Sequence, residues 1–187
     1  MASSRRYLLA TMAAAVAGAA LEPHAAHASS ARQINRNADI VLRDLYAVQP
    51  KARELGRRAK AILVFPKIFK AGFLVGGQGG EGALRVGSKT VAYYNIAAAS
   101  FGLQAGAQTF SYALFFMTDS ALQYLQKSDG WAIGSGPSVV VVDKGAAATL
   151  NTTTLTQDVY AIPYGQRGLM AGIGLEGSKI TQINPGP

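Results

Sequence analysis

From residue 72 to residue 117 the chain is built almost wholly of β-branched, aromatic and small residues, broken by glycine and serine. Apolar runs at 72–75, 83–86, 90–98 and 101–117 predict an antiparallel meander. Gly102 and Gly106 fall inside the last run, which predicts sharp bends or close backbone approach in a coiled or barrel-like sheet. Within the same region "AGFLVGGQGGEGALRV" holds Gly77, Gly79 and Gly82 in the spacing G-x-G-x-x-G. A dinucleotide site of that pattern needs a helix after the third glycine and an acidic residue about 20 positions on. Here Gly87-Ser88 and another β-rich run follow, and no acidic residue occurs between Glu81 and Asp119. Residues 77–82 therefore read as a hairpin tip.

Helical patterns flank this region. Over 32–48, Ile34, Ala38, Val41, Leu42, Leu45 and Val48 recur at three and four, one stripe of a helix. Pro50 interrupts, and a second helix is expected with Ala52, Leu55, Ala59 and Ile62 inward and Lys51, Arg57, Arg58 and Lys60 outward. Residues 61–65, "AILVF", suit either an extension of that helix or the start of a strand. Thr118 or Asp119 can cap a third helix with Leu122 and Leu125 inward and Gly130 beyond its end. Four valines at 139–142 predict a buried strand in the middle of the sheet. Two more strands are expected at 155–162, ending at Pro163, and at 169–176. The fold class is α+β: a large antiparallel, coiled or barrel-like sheet with an N-terminal helical pair and one further helix.

Residues 1–28 carry Arg5-Arg6, an Ala-rich apolar stretch and Ala26-His27-Ala28, the layout of an export signal with its cleavage site. "SRRYLLA" resembles the twin-arginine export motif, a general secretory signal being the alternative. A single domain is expected over 29–187, periplasmic or secreted. With no cysteine in the chain, a lipoprotein anchor and disulfides are excluded.

The whole chain has 18 Lys and Arg against 10 Asp and Glu. Removing Arg5, Arg6 and Glu22 with the signal leaves 16 against 9, or +7. Most of that excess lies in one short segment, with Lys51, Arg53, Arg57, Arg58, Lys60, Lys67 and Lys70 against Glu54 alone. Such a surface attracts polyanions, and export points to anionic phospholipid or acidic glycan rather than nucleic acid. Both histidines, His24 and His27, lie in the signal. The mature chain therefore has no Ser-His or Cys-His nucleophile system and none of the usual zinc ligand sets, so no metal or cofactor is expected. Glu81, Asp119, Asp129, Asp143, Asp158 and Glu176 each stand beside a turn or strand end, where carboxylates mostly solvate turns; a paired-carboxylate hydrolase is the weakest of the readings.

"FPKIFKAGFLVGGQGGEGALRV" from Phe65 and "GQRGLMAGIGLEGSKI" from Gly165 resemble the two ends of a SYLF domain. "GLQAGAQTFSYALFFMT" from Gly102 and "GSGPS" from Gly134 fit its middle, and the likeness extends from Ile34 to Ile183. Where many members carry a tryptophan after the first hairpin, this chain has "VAYYNIAAAS". The resemblance implies a non-enzymatic lipid-binding module. Eukaryotic members bind phosphoinositides through an N-terminal amphipathic helix and basic residues, and some yeast members bind actin filaments. For an exported bacterial member, the part that transfers is binding to anionic phospholipid or a membrane surface. The headgroup-binding set would be Lys51, Arg53, Arg57, Arg58, Lys60, Lys67 and Lys70, with Phe69 and Phe73 as membrane-inserting wedges. The alternative is an envelope scaffold whose basic face meets an acidic protein partner.

Overall fold

The computed structural model describes residues 29–142, 155–168, 175 and 177–187. The export signal expected at 1–28, Asp143, Glu176 and nearly all of the strand expected at 169–176 lie outside them. Two helices open the described chain, α1 (Ala31–Val48) and α2 (Pro50–Arg58). The Ser30 side chain caps α1 by accepting from the Gln33 amide. Pro50 begins α2, a position where its missing N–H leaves no bond unmade. The second helix is shorter than its apolar pattern suggested: Ala59 is already extended, and Lys60 and Ile62 fall outside it. The α1 stripe also ends early, Val48 being 65% exposed.

Residues 61–65 open a strand, β1 (Ala61–Val86), which pairs antiparallel with β2 (Lys89–Phe116) from Ala61↔Phe116 to Val86↔Lys89. Pro66 lies in the register shift between Phe65 and Ile68, where a residue without an N–H is tolerated, and its carbonyl accepts from Ser111 Oγ at 2.8 Å. The turn is Gly87-Ser88, with Gly87 at φ +59°. Residues 77–82 are therefore not the hairpin tip but the interior of β1.

Their glycines have a different use. A β-carbon on Gly72 would stand 2.5 Å from the Gly76 α-carbon, so β1 reverses between these two residues. Across the sheet Gly106, paired with Gly72, takes φ +142°, and β2 yields at the same level. Beyond the reversal Gly80 lies against the Lys67 carbonyl and Gly82 against the Val64 carbonyl, each oxygen 2.5 Å from where a β-carbon would sit. The hairpin is folded over on itself, and only residues without side chains let the halves of β1 touch.

After β2 come α3 (Asp119–Lys127), β3 (Trp131–Ala132), β4 (Val139–Val141), β5 (Val159–Gly168) and β6 (Lys179–Ile183). Thr118 caps α3 by accepting from the Ala121 amide. Among the described residues the sheet has six strands in the order β3-β6-β2-β5-β4, with β1 on the other side of β2. The order is not that of a simple meander, because β2 pairs with β6 through 93–97 and with β5 through 108–116. Among the described residues the valine run is not central either: β4 pairs in parallel with β5, and Val140 and Val141 are exposed. An unbroken apolar run does not distinguish a central strand from an edge strand with one end buried. Pro163 does not end β5; it faces Tyr112 of β2, beyond the point where β4 pairing stops at Ala161.

One face of the folded hairpin, with Leu63, Phe65, Tyr94, Ile96, Phe110 and Tyr112, forms the main core with Leu125 of α3 and Trp131. The helices cover the other face. Ile34 and Ala38 of α1 pack on Val64 and Ala83, while Leu45, Ala52 and Leu55 pack on Ala113, Phe115, Tyr160 and Ile162. Asn35 joins α1 to the sheet by donating to Tyr93 Oη at 2.9 Å and accepting from Thr90 Oγ1 at 2.8 Å.

Candidate lipid-binding surface

Helix α2 presents Arg53, Arg57 and Arg58 to solvent. Among the described residues none of the three has an ion-pair partner, and the last two occupy the final turn, where the helix dipole favours cations. The opposite side of the helix is closed, because Ala52 and Leu55 are fully buried against β2 and β5. The apolar stripe read from the sequence thus belongs to the protein's own core and is not open to a bilayer.

Two other expected headgroup ligands are engaged within the protein. Lys51 Nζ lies 2.8 Å from Glu54 Oε2, and Lys60 Nζ lies 3.2 Å from Asp119 Oδ2, tying the start of β1 to α3. Lys67 and Lys70 stand on β1, far from the helix. Eight residue steps along the strand lead from Ala61 to Phe69, about 26 Å of chain at the usual rise. The seven cations therefore form no single patch. Arg53, Arg57 and Arg58 make one surface, and Lys67 belongs with the fold-over of the hairpin, next to Lys70, which is half-buried and has a partner.

At that fold-over Phe69 is 52% exposed, Phe73 73% and Val75 61%. Arg167 joins them from β5, since Phe69 pairs with Thr109 and Thr109 with Arg167, three residues in a row across three strands. Sequence reasoning missed Arg167 because the pairing of β5 with β2 spans more than 50 residues and leaves no local pattern.

The remaining chemistry is that of supports. Arg85 is largely buried and pairs with Asp39 at 2.6 Å, so it does not add to the outer charge. Glu81 accepts from the Ser29 amide at 2.9 Å. Asp158 accepts from the Ser138 amide and hydroxyl, both at 3.0 Å, and from Thr118 Oγ1 at 3.1 Å. The Ser138 amide is the main cause holding its carboxyl below the usual value, against some desolvation. Burial raises the phenol pKa of Tyr94 and Tyr112, whose hydroxyls have no hydrogen-bond partner in the core. Among the described residues no three His, Cys, Asp or Glu side chains cluster to hold a metal, and no helix is long and apolar enough to cross a membrane.

Fold and surface together define a small α+β module whose exposed chemistry is cationic and apolar. Residues 97–184 match the family model described as "Ysc84: Las17-binding protein actin regulator", consistent with a SYLF domain. The match spans most of β2 and everything after it, including Arg167, and leaves α1, α2 and β1 outside. No curated protein matches the chain.

Proposed function

We infer that the protein is a non-enzymatic, exported module, periplasmic or secreted, that attaches reversibly to anionic phospholipid surfaces. The observation that supports this most is the trio Arg53, Arg57 and Arg58: exposed, without ion-pair partners among the described residues, and fixed on a helix whose other side is anchored in the core. A cation near an anionic leaflet contributes about 1 kcal/mol, so three contribute about 3 kcal/mol, roughly a hundredfold in partitioning. Anchoring α2 by Leu55 means that its arginines meet the headgroups without the helix entering the membrane.

Co-sedimentation with vesicles of graded phosphatidylglycerol or cardiolipin content tests this. Binding should rise with anionic content and weaken with salt, and Arg57→Glu/Arg58→Glu should weaken it by at least about thirtyfold. Binding indifferent to lipid charge, salt and this substitution rejects the reading. The second reading, an envelope scaffold with an acidic protein partner, is favoured by the matched family's description, which names a protein that its members bind. Affinity capture of one stoichiometric protein, without vesicle binding, would establish it instead.

A further inference from the structure

The fold-over of the hairpin carries apolar surface that the arginines of α2 do not explain. Phe73 and Val75 stand within the reversal between Gly72 and Gly76, and Phe69 precedes them on the outer side. Resting on the lipid-surface reading above, we propose that this crest, and not helix α2, is the part of the protein that enters the apolar layer of a bilayer. Lys67 and Arg167 then meet anionic headgroups at its margin.

Three features of the crest fit a membrane. Its backbone is already paired: Gly72 with Gly106, Leu74 with Gly102, Val75 with Phe101, Gly76 with Ser100. On β1 only Phe73 falls in the register shift, opposite residues 103–105 of β2, so shallow insertion of the β1 side leaves few of its backbone groups without partners. On β1 and β2 the charges flanking it are of one sign. No acidic residue occurs at 55–80 or at 82–118, and Glu81 is held by the Ser29 amide. A second copy meeting this one crest to crest would bring like charges together, whereas an anionic leaflet complements them. The cations are also placed at the margin: Arg167 is two strands from Phe69 in the same cross-strand row, about 10 Å away at the usual strand spacing. An apolar wedge a few residues deep beside cations suits the headgroup–acyl boundary and cannot span the bilayer.

Helix α2 cannot substitute for the crest. Inserting Ala52 and Leu55 would mean withdrawing them from Ala113, Phe115, Tyr160 and Ile162. The two surfaces therefore have separable roles, α2 in long-range charge attraction and the crest in depth.

Phe73→Trp in the otherwise natural protein reports on insertion, because the native Trp131 is fully buried and shielded from lipid. With equimolar phosphatidylglycerol–phosphatidylcholine vesicles, the introduced indole should shift to shorter wavelength and be quenched by shallow doxyl-labelled lipid. The natural protein should show neither change. Phe69→Ser/Phe73→Ser should weaken partitioning by about tenfold or more at high salt, with melting unchanged because both rings are exposed. Vesicle-bound protein whose introduced indole is neither shifted nor quenched overturns the crest proposal and leaves the arginine reading standing. Absence of vesicle binding by the natural protein overturns both. Self-association in the absence of lipid that Phe73→Ser abolishes overturns it too, making the crest an interface between copies.

Discussion

Four of the five glycines in "GGQGGEG", Gly77, Gly79, Gly80 and Gly82, look alike in sequence but should respond differently to the addition of one methyl group. On Gly82 the new carbon would stand 2.5 Å from the Val64 carbonyl oxygen and 2.6 Å from Phe65 Cδ1. On Gly80 it would stand 2.5 Å from the Lys67 oxygen and 3.0 Å from Ile68 Cγ1. Non-bonded heavy atoms sit comfortably at about 3.5–4.0 Å, so the halves of β1 must separate by roughly 1 Å. The oxygens are backbone atoms, and Phe65 and Ile68 are fully buried, so nothing nearby can rotate away. On Gly77 and Gly79, by contrast, the carbon would meet only carbonyl oxygens at 3.4 Å and 3.7 Å, ordinary contact distances.

Overpacking of this kind costs about 1–3 kcal/mol, and Gly82→Ala and Gly80→Ala belong at the upper end because backbone has to move. For a domain of this length each kcal/mol lowers Tm by about 2–4 °C, so both variants should melt about 4–12 °C below the natural protein. Gly77→Ala and Gly79→Ala should be neutral or stabilising by up to about 1 kcal/mol, since alanine restricts the unfolded chain. Urea titration and thermal melting followed by circular dichroism measure all four. If all four variants fall within about 0.5 kcal/mol of one another, the halves of β1 do not lie in backbone contact. The fold-over would then be wrong, and with it the crest.

The other predictions concern buried and supporting polar groups. Tyr112→Phe removes a core hydroxyl that has no partner and should raise stability by about 1 kcal/mol; a loss of similar size would show that the hydroxyl is satisfied, for instance by a buried water. Asp158 has its pKa lowered by the Ser138 amide, so its contribution to stability is present above the ordinary carboxylate value and is lost as pH falls through the lower folded value. Asp158→Asn should therefore melt lower than the natural protein at pH 7, with the gap closing in acid below the ordinary carboxylate range. A gap that does not change with pH refutes the ion's role.

Several elements were legible because their signals are local. Thr118 caps α3, Pro50 divides α1 from α2, and the β-rich runs between 72 and 116 fall in β1 and β2. What escaped depends on residues distant in sequence. Gly82 reads as a turn residue because glycine in a polar run usually is one; its actual use is set by Val64 and Phe65, 18 and 17 positions back. Val140 reads as central because four valines in a row suit a buried strand, but among the described residues β4 pairs with β5 alone, and Val140 is exposed. Arg167 enters the candidate surface only through the register of β5 on β2.

The helix α2 shows why pattern alone cannot assign a membrane surface. A stripe of Ala52 and Leu55 opposite Arg53 and Arg57 is the same pattern whether the apolar side faces a bilayer or the protein's own sheet. Here the sheet occupies it, through Phe115, Tyr160 and Ile162. That burial leaves the arginines outward and makes the helix rigid, and it transfers the need for apolar contact to whatever large side chains the fold leaves uncovered. Phe73, Val75 and Phe69 are the most exposed group of such residues in contiguous described sequence, and they lie where β1 reverses. The glycines that let β1 touch itself thus also set out the surface that would meet the lipid, because a hairpin that could not fold over would have no crest.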